Sequence, residues 1–485
     1  MIQRKIFILL FFFIPLFLSG QNTVPEQIGR FLKQTGMEGS TLACVVREVA
    51  NGKTVCRYQD QLQVTPASVM KLVTTATALE ILGSDYRYPT TLAYDGTLNN
   101  GVLQGNLYII GSGDPTLGSS HFAPESKNFL ETWIKALQKT GIRQINGAVV
   151  ADESVFDTEG ISPKWVYEDL GSYYGAGSYG LSVFDNLYRL SLRTTSGKRP
   201  QIIGTEPAGV VRKFHNYLVS SNVRTDSCYI LGAPFADERY LYGVIPAGKE
   251  RYTLKGDIPD PALFLAQYVT DALKRQNISV AKPATCYRIL QENGKWKKGE
   301  RETIVTTYSP TLRQIVEKTN HVSHNLYADA LLKTIGLQYQ TKPGEVLSSF
   351  GKGIRLLKEH WEKAGLDITA LSLYDGSGLS PTDKVTADFM ADLLCYMATQ
   401  SPEKQAFLHS LPEAGKEGSV RNFLKGSSLQ GQAWLKSGSM SRVKGYAGYI
   451  EKDGKRYAIA LFLNQYNTDG GPATRALARL IESLF

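Results

Sequence analysis

Strand-patterned residues stand at both ends of this 485-residue chain, and that placement most constrains what it can fold into. Near the start, residues 41–48 and 53–58 read as a hairpin about the Asn51-Gly52 turn. Near the end, residues 432–439, 444–451 and 455–464 read as three successive strands joined by short turns. Consecutive elements tend to lie side by side in space. The expectation is one domain built from both ends, with five antiparallel strands in its sheet. Helices at 24–36 and 472–484 flank it, the first with Ile28, Phe31 and Leu32 on one face, the second with Leu477, Leu480 and Ile481.

The middle of the chain is patterned differently. Short strand-like runs with turn signals occupy 92–94, 105–111, 147–152, 187–194, 228–233 and 240–245, with helices predicted at 130–140 and 261–275. From Ser309 helices return, at 311–319, 326–335, 345–364, 385–398 and 402–409. The expected organisation is therefore an α/β (α+β) catalytic domain made of residues 21–88 and 300–485, interrupted by a β-rich insert of two modules at 89–299. Residues 1–20 read as a secretory signal. Arg4 and Lys5 precede an apolar run from Ile6 to Leu18, which is too short to span a bilayer. No cysteine follows the run to suggest a lipoprotein anchor, so an exported, soluble, periplasmic protein is expected.

Charge excludes one class of partner. The formal net charge of +9 becomes +7 without Arg4 and Lys5 (54 − 2 − 45), and no block of Lys and Arg stands out, so nucleic-acid binding is not expected. Five cysteines are too few, and odd in number, for a disulfide scaffold. In a two-residue hairpin Cys56 faces Arg47, which puts Cys44 and Cys56 on opposite faces of the sheet. Cys228 with Cys286 is the one pairing to be tested.

The chemistry begins at 65–83, which reads as one buried helix. Thr65 is expected as its N-cap, Pro66 in its first turn and Gly83 as its stop. Ser68 and Lys71 are three apart and so share a face at its start. A desolvated lysine loses its proton readily and can activate a neighbouring hydroxyl. Ser-x-x-Lys recurs at Ser279, Ser349, Ser401 and Ser441, but none of these opens a long apolar helix after a proline. Acyl transfer also needs a proton relay, a donor for the substrate backbone and a cation for its carboxylate. Ser323-His324-Asn325 supplies the first two from a loop between helices. Lys436-Ser437-Gly438-Ser439 supplies the third on a strand whose glycine lets substrate approach. A second Lys-Thr-Gly at Lys139 is set aside, because it ends a predicted helix. Taken singly each motif is an ordinary helix start, loop or strand end. In this order, each on the element type the chemistry needs, they point to a serine acyl-transfer enzyme.

These residues, with Asn106-Leu-Tyr-Ile-Ile-Gly-Ser-Gly-Asp-Pro115, Trp165-Val-Tyr-Glu-Asp-Leu-Gly-Ser-Tyr-Tyr-Gly-Ala-Gly177 and Asp375-Gly-Ser-Gly-Leu-Ser380, resemble the serine DD-peptidases of the penicillin-binding protein superfamily. The resemblance is strongest to the low-molecular-mass class C D-alanyl-D-alanine carboxypeptidase/endopeptidases (peptidase S13-like) and covers essentially the whole mature chain. His324 in the middle motif and Ser437 in place of threonine in the last are departures from the pattern; serine keeps the hydroxyl. The resemblance implies a serine transpeptidase/β-lactamase-like fold. It implies Ser68 as nucleophile, Lys71 as base, Ser323 as relay and Asn325 as a ligand of the substrate amide and of Lys71. Lys436, Ser437, Gly438 and Ser439 would bind the terminal carboxylate, with the N–H groups of Ser68 and Ser439 as oxyanion hole. Asp169 would bind the free amine of a stem-peptide diamino acid. Peptidoglycan stem peptides are the expected substrates and β-lactams the expected covalent inhibitors.

No cofactor or metal is expected. His321 and His324 have ligand-like spacing, but no His-Glu-x-x-His or third ligand accompanies them, and both read as surface imidazoles. Asp114 and the Asp375 segment read as tight turns, the latter near the cleft. A serine β-lactamase shares the three motifs, and a wall-binding protein with a silent site is the non-enzymatic alternative. The long insert argues against the first reading and the intact motifs against the second.

Overall fold

The structure, a computed structural model, describes residues 24–122 and 128–485. The run expected as an export signal lies outside the described residues. The five terminal strands do form one antiparallel sheet, in the order Thr54–Tyr58, Thr41–Glu48, Lys455–Asn464, Val443–Lys452, Ala433–Met440. Thr41 pairs with Asn464, so the centre of the sheet joins the two ends of the sequence. Residues 42–46 are all buried, because helices cover both faces of the sheet. On one face Val24–Leu32 and Gly470–Ser483 close a core containing Phe31, Leu461, Leu463, Leu477 and Ile481. On the other pack Lys71–Leu82, Leu312–Val322, Asn325–Gly336, Ser349–Lys363 and Ala387–Thr399, around Leu79, Leu331, Trp361 and Leu394.

The Cys44–Cys56 expectation fails for a local reason. Residues 49–52 form a turn longer than two, which sets Arg47 opposite Thr54, and a β-bulge between Val46 and Arg47 then sets Cys56 opposite Val46. Both cysteines then face the same buried core. All five cysteines are free, including Cys228 and Cys286.

Between the Lys71 helix and the helix at Leu312 lies a β-rich body. Its mixed five-stranded sheet runs Thr285–Cys286, Val149–Asp152, Leu107–Ile110, Pro89–Tyr94, Glu302–Tyr308. The last strand carries that sheet past residue 299, because Glu302–Tyr308 pairs along the whole of Pro89–Tyr94. A second group of strands, including Leu187–Arg193, Glu238–Pro246 and Tyr252–Asp257, shares one buried cluster with the first, through Leu107, Trp133, Leu190, Leu241 and Leu265. Predicted and observed helices agree closely here: Phe129–Lys139 ends with Thr140 as C-cap and Gly141 at φ +80°, and Pro261–Arg275 is capped by Asp260. This body sits on the helix Asn325–Gly336. There the buried Lys333 ammonium donates to the carbonyls of Glu159 (2.7 Å) and Ser178 (2.8 Å).

Candidate active site

The segment 65–83 is not one helix capped by Thr65. The Thr65 N–H is engaged by Asn464 Oδ1 (2.8 Å), Ala67 takes a positive φ of 47°, and a 3-10 turn over Ala67–Met70 precedes the helix Lys71–Leu82. The tight turn delivers Ser68 to the mouth of a cleft while Lys71 is fully buried behind it. Neighbouring backbone presses directly on the turn. A Cβ on Gly378 would stand 2.0 Å from the Ala67 carbonyl oxygen. A Cβ on Gly438 would meet Pro66 O at 2.5 Å and Ser68 N at 3.1 Å. These two glycines are required by close approach, and they set the strand Ala433–Met440 against the serine.

Lys71 Nζ has three neighbours: Ser68 Oγ at 2.9 Å, Asn325 Oδ1 at 2.7 Å and the Ser377 carbonyl at 2.6 Å. Two of these can only accept. A neutral amine gives its two protons to them, and its lone pair then faces the Ser68 hydroxyl. Burial lowers the Lys71 pKa to about 8, against the opposing pull of Asp329, Asp375 and Asp383. Burial, and then the proximity of Lys71, also holds Lys436 well below the ordinary lysine range. Lys436 Nζ donates to Ser323 Oγ (2.9 Å) and to the Ser437 carbonyl (2.7 Å). Ser323 is the left-handed C-cap of Leu312–Val322, at φ 60°, and Asn325 opens the next helix. The predicted residues Ser68, Lys71, Ser323, Asn325 and Lys436 are thus brought together from segments far apart in the chain. Ser437 Oγ lies 2.8 Å from Ser419 Oγ, and Ser439 Oγ accepts from Lys444 Nζ (2.9 Å).

The cleft has a volume of about 740 Å³ and is lined by Ser68, Ser323, Asn325 and Ser439 from one side and by Asp169, Tyr174 and Lys255 of the β-rich body from the other. Asp169 is 6% exposed, and its Oδ2 has no hydrogen-bond partner among the described residues. Burial, then repulsion from Glu168, raises its pKa to about 6. Asn325 Nδ2 donates to the Tyr174 carbonyl (2.8 Å), so the inserted body holds the amide in place.

Sequence reasoning missed the support beneath Lys71. Asp375 is buried and its carboxylate gathers the N–H groups of Ser377 (3.0 Å), Gly378 (2.6 Å) and Ser380 (2.8 Å). Trp165 Nε1 donates to the same carboxylate (2.7 Å). This wrapping aims the Ser377 carbonyl at Lys71. Asp329 and Asp383 are buried beside it, and each is pushed well above the usual carboxylate range by burial and then by Asp375. Spacing offered one clue: Asp329 lies one turn beyond Asn325, on the same helix face. His324 also differs from expectation. Its ring is stacked on Tyr327, 3.8 Å between centroids, and burial pushes its pKa down to about 4.

This fold and the Ser68–Lys71 pair fit one class, the serine acyl-transfer enzymes of penicillin-binding type. The chain belongs to the D-Ala-D-Ala carboxypeptidase 3 (S13) family, whose sequence model matches residues 24–484. It is 27% identical over 464 residues to a D-alanyl-D-alanine carboxypeptidase of Actinomadura sp. (strain R39), covering 93% of this chain and 82% of that one. It is 24% identical over 446 residues to the D-alanyl-D-alanine carboxypeptidase DacB of Haemophilus influenzae, covering 90% and 88%. The crystal structure of penicillin binding protein 4 (dacB) from Haemophilus influenzae superposes with a TM-score of 0.77 at 22% identity, over 92% of this chain and 95% of that one.

Proposed function

We propose that this chain is a serine DD-peptidase that hydrolyses D-Ala-D-Ala termini, peptide cross-links, or both, in peptidoglycan through an acyl-enzyme on Ser68. The observation that carries the reading is the Lys71 amine, whose two carbonyl acceptors direct its lone pair at Ser68 Oγ. Lys71 takes the Ser68 proton as the oxygen attacks the carbonyl carbon. The developing oxyanion is received by the N–H groups of Ser68 and Ser439, each such donor contributing about 3–4 kcal/mol to the transition state. Ser323, hydrogen-bonded to Lys436, relays a proton to the leaving amine, and the C–N bond breaks. Water then cleaves the ester.

Lys436, Ser437 and Ser439, with Gly438 leaving space, hold the substrate's terminal carboxylate. Asn325 orients the substrate amide. Asp169, with an unpartnered oxygen at the cleft, takes the free amine of a stem-peptide diamino acid. The parts of the chain on either side of the β-rich body supply the chemistry, and that body, which the strand Glu302–Tyr308 carries past residue 299, supplies the facing wall. We place the protein outside the cytoplasm, where that substrate lies; the run from Ile6 to Leu18 after Arg4 and Lys5 supports export. Among the described residues no helix is long and apolar enough to cross a membrane.

The test is intact-mass spectrometry after incubation with benzylpenicillin, beside Ser68→Ala. A persistent adduct of one drug mass on wild type alone supports the proposal. Rapid drug turnover without an adduct supports a β-lactamase instead, and neither adduct nor turnover removes the enzymatic reading.

A further inference from the structure

His121, Asp185 and His324 come from three distant segments and converge beside the catalytic turn. One ligand-capable atom from each lies within 4.8 Å of the other two. His324 Nε2 is 3.8 Å from Asp185 Oδ1, and the rings of His121 and His324 meet edge to face at 5.3 Å. Asp185, which is buried, and His324 are both held in place. Asp185 Oδ1 accepts from Tyr327 Oη (2.6 Å), which also meets Ser119 Oγ (2.7 Å). Asp185 occupies a left-handed conformation (φ 57°, ψ 22°) between two further residues of positive φ, Phe184 and Asn186. The backbone is strained at the point that aims this carboxylate at His324. His324 is clamped by its stack on Tyr327, yet its Nδ1 is buried with no hydrogen-bond partner among the described residues. The neighbours of His324 in this cluster are 203 and 139 positions away in the chain (324 − 121 and 324 − 185), so sequence spacing does not bring them together.

We propose that His121, Asp185 and His324 form a mononuclear site for a transition-metal dication of the zinc type, completed by water. Two imidazoles and one carboxylate suit zinc and its neighbours and disfavour magnesium and calcium, which take oxygen ligands. Tetrahedral coordination at ordinary Zn–N and Zn–O lengths sets donors about 3.3 Å apart. Reaching it from donor atoms that lie within 4.8 Å of one another takes shifts of about 1 Å, and His121 is only partly buried. His121 and His324 border the cleft, which gives an ion and its water a path from solvent. The site has a mechanical consequence. His121 and Asp185 belong to the inserted body and His324 to the turn carrying Ser323 and Asn325. A bound ion therefore pins the catalytic turn to the insert.

The probes are Zn2+ and Co2+ added to chelator-treated full-length mature protein. Equilibrium dialysis with metal analysis should find one bound Zn2+ per chain. Co2+ should give the intense visible absorption of a tetrahedral site, and Zn2+ should raise the melting temperature of wild type. His121→Gln and Asp185→Asn should each weaken zinc binding at least about tenfold and lose both the Co2+ absorption and the zinc-dependent melting shift. The Asp185→Asn amide keeps an acceptor for Tyr327, and His121→Gln alters a half-buried residue at the cleft wall, so each variant's own melting transition serves as the check on folding. Absence of bound zinc in wild type overturns the proposal, and so does zinc binding that persists unchanged in both folded variants. None of these readouts depends on peptidase activity.

Discussion

The rate at which benzylpenicillin acylates Ser68 should depend on pH through Lys71, and the structure sets where. A lysine titrating at about 8 is about 9% neutral at pH 7 and about 91% neutral at pH 9, so the rate constant should rise about tenfold across that interval. An ordinary lysine near 10.5 would be only about 0.03% neutral at pH 7, so burial of Lys71 increases the competent fraction there by about 300-fold. The sign is fixed by the chemistry: burial disfavours the charged ammonium, and only the neutral amine accepts the Ser68 proton. The assay is the second-order acylation rate, followed by mass or by a fluorescent penicillin from about pH 6 to about pH 10 at constant ionic strength. Lys71→Ala should lower the rate by about 10²- to 10⁴-fold and erase the rising limb. A flat profile, or a limb whose midpoint stays near 10.5, would show that Lys71 is not the desolvated base inferred from its contacts.

Other expectations follow from single contacts. Gly438→Ala should abolish acylation, because the added methyl meets the Pro66 carbonyl and the Ser68 N–H and forces the strand away from Ser68; mass labelling checks this. Trp165→Phe removes the indole donor from the buried Asp375 carboxylate and should cost about 1.5–3 kcal/mol in urea unfolding, while slowing acylation as the Ser377 carbonyl loosens. Asp169→Asn should raise KM for peptides bearing a free side-chain amine and leave penicillin acylation in place. In wild type the same KM should rise as pH falls below about 6, where the Asp169 carboxylate takes up its proton and loses its charge.

How much of this was legible in the sequence depends on the range of each contact. Ser68 and Lys71 are one helical turn apart, so their pairing could be read locally, and the alternating strands at the two ends announced the central sheet. Ser323, Asn325 and Lys436 could be placed on the right kinds of element, because a loop between helices and a strand after Ala433-Trp-Leu leave local signatures. The rest rests on long-range fit. No local pattern says that Gly378 must face Ala67, or that Trp165 reaches a carboxylate 210 positions away. The left-handed φ of Ala67 and Ser323 is imposed by packing against a residue's own preference. The cysteine register depended on a turn two residues longer than expected and on one bulge after Val46, which has no glycine to mark it.

The pairing of Thr41–Glu48 with Lys455–Asn464 has a consequence for the order of events in the life of the chain. The first strands to be made find their central partner only after about 400 further residues have been synthesised. Until then the hairpin lacks the other three strands of its sheet, and the Ser68 turn lacks the strand Ala433–Met440 that presses on it. Contacts so remote in sequence form slowly, because the loop they close must first lose its entropy. Ser68 therefore stands without the strand that carries Lys436, Gly438 and Ser439 while the polypeptide is incomplete. A cleft built this way is complete only when the C-terminal strands have joined the sheet.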